Sequence, residues 1–311
     1  MTPNWDIHPE MVTHTRVIDL KTGHPYRDPS PKFMENWEWS AGRSTDEIGA
    51  YLAYALQILK NAGFTCEGIT TPGGFGNKVL PELSQGTLQA VRSVYAAEVP
   101  HYFRHLYDTG DRSVAPRVEN ATGLETDDPQ CVVSVIGCTG DWTGGWDCTT
   151  PEGADRFITE DLQAGRMVEV ITRGEPAMMV CHWTGIYWSG QELGFQVFQN
   201  VVRRLHERFD NLLWMKLSEL SRYWAAKELT RIEHAGTTIN FTAPYACPNF
   251  TIQVTTREKA VPAWKVGDKV LPLKKVTKRL QLVSGTWCRE GDTVIVCFDV
   301  PRGKSTIEFA A

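Results

Sequence analysis

Cys131-Val132-Val133-Ser134-Val135-Ile136-Gly137 is the stretch on which the fold turns. It is an apolar run with polar neighbours before it and glycine at its end. Such a run is expected of a strand covered on both faces, the kind found inside parallel sheets. It leads directly into Cys138-Thr139-Gly140-Asp141-Trp142. In parallel α/β proteins side chains and free backbone N–H groups converge where strands end, so chemistry is expected there.

Working outward, helices and strands alternate from about Ser44 to Glu228. Ser44 and Glu47 form a capping box, Ile48, Tyr51, Leu52, Ala55, Leu56 and Leu59 repeat at helical spacing, and Asn61-Ala62-Gly63 supplies a stop. A short strand from Cys66 to Thr70 runs into Thr71-Pro72-Gly73-Gly74, and a second helix is predicted from about Ser84 to Ala97. Beyond the central strand the pattern predicts a helix from about Ala154 to Ala164 and a strand from Ala177 to Cys181 that ends in His182-Trp183. A long amphipathic helix through Phe195 and Phe209 follows, then a strand from Leu212 to Lys216 and a helix capped by Ser218. This order predicts parallel strands with crossover helices, open or closed into a barrel. After His234 the texture changes to short strand-like runs separated by Pro, Gly and Asp. That change divides the chain into an α/β domain over residues 1–234 and a small all-β, sandwich-like domain over 235–311.

The 311 residues are 42% apolar and 22% charged with a net charge of -5. No basic stripe suits a phosphate backbone, so nucleic acid is not an expected partner. No apolar run approaches the roughly 20 residues that span a bilayer, so a membrane is not expected either. The scattered cysteines carry no CxxC pair. With no signal-like start, they predict a reducing, cytoplasmic setting if the chain is complete. A homo-oligomer is compatible with all of this.

Three strand ends carry polar or glycine-rich sequence: Thr70 to Gly76, Thr139 to Trp146, and His182 to Gly185. Near the amino terminus Asp6, His8, Glu10 and His14 offer imidazole and carboxylate donors of the kind that suit Zn, Fe, Co or Ni. Glu35 and Glu38 stand among aromatics, and His101 and His105 read as a surface pair. Tryptophans 37, 39, 142, 146, 183 and 188 fall near the same rim. Aromatic faces beside acids and amides are what a sugar-binding cleft needs.

The run from Ala154 to Tyr223 resembles the NodB-like polysaccharide deacetylases, carbohydrate esterases that use a divalent metal. Met178-Met-Val-Cys-His182 is similar to the family's Leu-x-x-His strand end, and Leu217-Ser-Glu-Leu220 to its Leu-Ser-Glu-Leu-like segment. Asp141-Trp142 is similar to its Asp-Trp motif, and Thr71-Pro72-Gly73-Gly74 stands in the place of its Pro-containing turn. The family's Asp-Asp pair, turn arginine and His-x3-His pair have no counterpart, so Asp6, His8 and His14 are expected to stand in as ligands.

The resemblance implies a NodB-like (β/α) barrel, incomplete or distorted, and a Zn-like divalent metal. It implies a hydrolase that removes acyl groups, ester or amide, from a carbohydrate or other acylated small molecule. His182 would protonate the leaving group, tuned by Asp141, while Thr71, Pro72, Gly73, Gly74, Trp142, Trp183 and Glu38 would contact substrate. Two other readings stand beside it: a carbohydrate-binding protein that kept the fold and altered the chemistry, and a glycoside hydrolase pairing Glu35 or Glu38 with Asp141.

Overall fold

The computed structural model describes residues 5–141, 152–256 and 260–310. A small hairpin, β1 (Ile18–Asp19) and β2 (His24–Pro25), precedes α1 (Thr45–Asn61). Then come β3 (Gly68–Thr70), α2 (Leu80–Tyr95), β4 (His101–Leu106), β5 (Arg117–Thr122) and β6 (Gln130–Gly137). Four helices follow: α3 (Arg166–Thr172), α4 (Trp183–Tyr187), α5 (Leu193–Arg208) and α6 (Leu217–Leu229).

The capping box of α1 forms as its sequence dictates. Ser44 Oγ accepts from the Glu47 amide at 3.2 Å, and Glu47 accepts from the Ser44 amide at 3.0 Å. Ile48, Tyr51, Leu52 and Leu56 then point to one core, with α2, Ile69, Tyr102 and Val132 on its other sides.

β3, β4 and β6 run parallel, and β5 pairs antiparallel on the outer edge of β6. Because side chains alternate across a sheet, Tyr102 and Val132 face α1 and α2, while Cys131 and Val133 face Ala225 and Leu229 of α6. The central strand is therefore covered on both faces, as its apolar sequence predicts. A third core gathers Ile136, Cys138, Phe157 and Ile158 against α3 and α5. Arg166, at the start of α3, is buried there. Its guanidinium donates to the carbonyls of Tyr107 (2.6 Å), Cys138 (3.1 Å) and Gly110 (2.9 Å), which ties the ends of β4 and β6 together.

The sheet does not close into a barrel among the described residues. Two segments expected as strands explain why. Residues 177–181 lie beside the extension of β6, with Cys138 N donating to Met178 O at 3.0 Å and one parallel bridge between Asp141 and Val180, but form no longer ladder. Residues 212–216 form no strand, and Leu213, Trp214 and Met215 are exposed. The helix expected near Ala154 to Ala164 is a single 3-10 turn at Ala154–Arg156, with α3 starting later.

The carboxy-terminal module is built from β7 (Arg231–Ala235), β8 (Thr238–Ala243), β9 (Cys247–Thr255), β10 (Val261–Val266), β11 (Lys269–Leu271), β12 (Lys274–Lys275), β13 (Thr286–Glu290), β14 (Thr293–Val300) and β15 (Gly303–Ala310). One sheet has the order β11-β10-β15-β8-β7 and the other β12-β13-β14-β9. Phe241, Ile307, Phe250, Val296 and Phe298 fill the space between them. The module starts at Arg231, because β7 is hydrogen-bonded along β8, and Arg279–Gln281 form a 3-10 turn. None of the described cysteines forms a disulfide, and no described helix is long and apolar enough to cross a membrane.

Candidate active site

The rim formed by the carboxyl ends of β3, β4 and β6 brings His182 and Asp141 together. Asp141 pairs its backbone with Val180, and two residues later the chain presents His182 at the N-cap of α4. His182 Nδ1 stands 2.7 Å from Asp141 Oδ2. The carboxylate is mostly covered at 14% exposure and the imidazole is more open at 36%. A carboxylate at Nδ1 fixes the tautomer and orientation of the ring, stabilises an imidazolium, and directs proton transfer to Nε2. Trp183, next in sequence, is 68% exposed. Trp142 lies outside the described residues.

Two strands away on the same edge, a cavity of about 440 Å³ opens between the Pro-Gly turn and the loop before α1; Asn36, Trp37, Glu38, Gly73, Gly74 and Lys78 are among its lining residues. Neighbouring strands lie about 4.8 Å apart, so the ends of β3 and β6 are separated by roughly 10 Å. Glu38 faces Lys78 across the mouth at 3.9 Å. The glycines serve close backbone approach. A Cβ on Gly73, whose φ is +39°, would meet the Asn36 carbonyl at 2.6 Å, and the Gly74 amide donates to that carbonyl at 2.7 Å. Thr71 is buried and both its amide and its hydroxyl donate to Phe103 O, so it holds the turn to β4. Pro72 is also buried in the turn. Of the residues expected to contact substrate here, Glu38, Gly73 and Gly74 line the cavity.

The metal-donor residues divide differently from the expectation. Asp6 and His8 come together, but the third donor is His101, and one ligand atom from each lies within 4.8 Å of the others. His14 instead sits 3.4 Å from Glu10 on the surface. Asp6 and His8 are two apart in a segment without regular structure, and both come within reach of His101. His14 follows His8 by six residues and lies in the bend at residues 12–15.

His101 is not a surface residue but is fully buried, at 0% exposure. It begins β4 next to Gly68 and Val133, and its Nε2 is 2.9 Å from His8 Nε2. Burial pushes the His8 imidazole down to about 4 despite the opposing pull of Asp6, and burial with the neighbouring His8 holds His101 well below its ordinary range. Both rings are therefore neutral at pH 7. Asp6 accepts from the Ser218 amide (2.7 Å) and hydroxyl (3.1 Å) in the first turn of α6. Ser218 thus anchors Asp6, and Lys216 takes the N-cap position. Nitrogen and carboxylate donors of this kind fit a borderline divalent metal.

Glu35 is fully buried, at 0% exposure, and is consumed internally. It accepts from the amides of Val12 (3.3 Å) and Thr13 (2.9 Å) and from the Tyr51 hydroxyl. Its oxygens are thus engaged in the core and not open to a substrate.

Sequence reasoning missed His101. The only available signal was its place at the head of an apolar strand, directly after Val99-Pro100.

No protein-family model matches the chain, and no curated protein matches it. Among solved structures, the crystal structure of a protein assigned as an alpha-L-fucosidase from Bacteroides thetaiotaomicron is similar at 9% identity over 88% of this chain and 67% of that one, with a TM-score of 0.29.

Proposed function

We propose that this protein is a hydrolase of acyl esters or amides on a carbohydrate-like substrate, with its proton chemistry at His182. The observation that carries the reading is the 2.7 Å contact between His182 Nδ1 and Asp141 Oδ2 at the end of the central strand. With Nδ1 held by Asp141, Nε2 takes a proton from water as the water oxygen bonds to the acyl carbon. It returns that proton to the leaving oxygen or nitrogen as the old bond breaks, and Asp141 stabilises the intervening imidazolium. Support for a sugar-like substrate comes from Trp37 and Trp183, whose exposed rings offer stacking faces, and from the acid and amide groups of Glu38 and Asn36.

Among the described residues the metal-capable cluster is at the other end of the sheet. His101 is the first residue of β4, whereas Asp141 lies past the last residue of β6. The residues around Asp6 therefore do not supply a Lewis acid to a substrate held at His182.

The cavity alone favours a second reading, a carbohydrate-binding protein without turnover. Assaying the purified protein on acetylated sugars and aryl acetates separates the two. Acetate release that depends on the protein supports the hydrolase, whereas sugar binding with no release on any substrate, with or without added Zn²⁺, supports the binder.

A further inference from the structure

The amino-terminal segment, the start of β4 and the first turn of α6 meet at Asp6, His8 and His101, next to the backbone bond from the Thr70 amide to the Pro9 carbonyl. Asp6 is bound to α6 through Ser218, with Lys216 Nζ 4.0 Å away. His101 covers Gly68 so closely that a Cβ there would meet its ring at 2.6 Å. Nδ1 of His101 is buried and has no hydrogen-bond partner within range.

The two Nε2 atoms are 2.9 Å apart and their rings are inclined at 59°. Two lone pairs at that distance repel unless a proton or a cation stands between them. Ligands of a tetrahedral Zn²⁺, each about 2.0–2.1 Å from the ion, stand about 3.3 Å from one another, so a slight opening of the pair would admit one. Asp6 supplies the anionic oxygen, and its second-sphere bonds to Ser218 orient it as metal-bound carboxylates are oriented.

We propose that Asp6, His8 and His101 are the protein ligands of a divalent transition-metal site that fastens the amino-terminal segment and α6 to the sheet. The site is structural and lies apart from the His182–Asp141 pair, so the inference does not rest on the hydrolase reading.

The test uses the full chain, stripped with chelator and titrated with Co²⁺ while visible absorption is followed, then with Zn²⁺ in competition. One equivalent of Co²⁺ should give the d–d bands of a four- or five-coordinate nitrogen and oxygen site, and the thermal midpoint should rise by several degrees on loading. His8→Ala and Asp6→Asn should each weaken binding by at least about 100-fold, since even outer-sphere partners are worth about 10- to 100-fold. His14→Ala should leave it unchanged. These partly exposed positions carry the test because removing the buried His101 ring can unfold the chain.

Absence of stoichiometric binding, or binding that survives His8→Ala, would overturn the site and leave a neutral hydrogen-bonded histidine pair. Turnover that tracks metal content in fully folded protein would overturn the structural role. Metal binding without any turnover would count against the hydrolase reading alone.

Discussion

At the scale of single residues, the same chemical type serves different ends according to burial and partners. Glu35 and Asp141 are both carboxylates near aromatic sequence, yet Glu35 satisfies two backbone amides and a phenol in the core, and Asp141 orients an accessible imidazole. Glu35→Ala leaves the Val12 and Thr13 amides and the Tyr51 hydroxyl without their acceptor. It should destabilise the protein by about 3 kcal/mol in chemical denaturation, with turnover of the folded fraction unchanged.

Acid should also charge the desolvated imidazoles of the metal-free protein. His8 falls to about 4 in the fold against about 6.5 unfolded, so between those values the unfolded chain binds more protons. Stability should therefore be fully present above pH 6.5, decline as pH falls, and stop declining on this account below about 4. A denaturation series across that window checks it, and His8→Gln should flatten the slope. That Asp141 and His182 share one rim was legible because both follow apolar strand-like runs, whereas their pairing was an expectation from the family resemblance. The choice of His101 over His14 was not, because it depends on which distant strand lies beside the amino-terminal segment.

At the scale of elements, the helices with full local signals formed as read. The capping box and apolar stripe of α1 agree with each other, and local agreement of that kind needs no tertiary information. The strand-like runs are less secure because a ladder needs a neighbour with unpaired edge groups. The run at 130–137 is central, with strands on both sides, whereas 212–216 is equally apolar and forms no ladder. β4 carries a bulge between Phe103 and His105, so Arg104 is the extra residue and the strand bends just before the rim.

Arg166 then fixes the ends of β4 and β6 from the start of α3. Arg166→Met removes the donors to three buried or half-buried carbonyls. It should cost about 3 kcal/mol in thermal or denaturant unfolding and should reduce turnover as well, because Tyr107 and Cys138 lead into the rim. A variant that is destabilised but fully active would detach the rim from Arg166.

At the scale of the whole molecule, the sandwich is not a separable appendage. Ala226 and Tyr223 of α6 pack into its core, while Ala225 and Leu229 pack on the parallel sheet together with Tyr245. Arg302 reaches back to the carbonyls of Thr126 and Asp127, at 3.2 and 2.5 Å. Deleting residues from Ala235 onward would strip one face of α6 and leave β7 without its partner. The truncated chain should be insoluble or lack cooperative unfolding by circular dichroism; a soluble, cooperatively folding fragment would contradict the shared core. The turn to short strands was visible in the change of texture after His234, but the shared helix was not, since α6 carries apolar residues on two different faces for two different partners.

The central claim is that His182, held by Asp141, performs the proton transfer, and the most direct measurement takes turnover and thermal midpoint from one preparation of His182→Ala. Turnover on an aryl acetate or acetylated sugar should fall by about 10²- to 10⁴-fold, with KM and the thermal midpoint nearly unchanged. A variant that melts earlier yet turns over at the wild-type rate would contradict it.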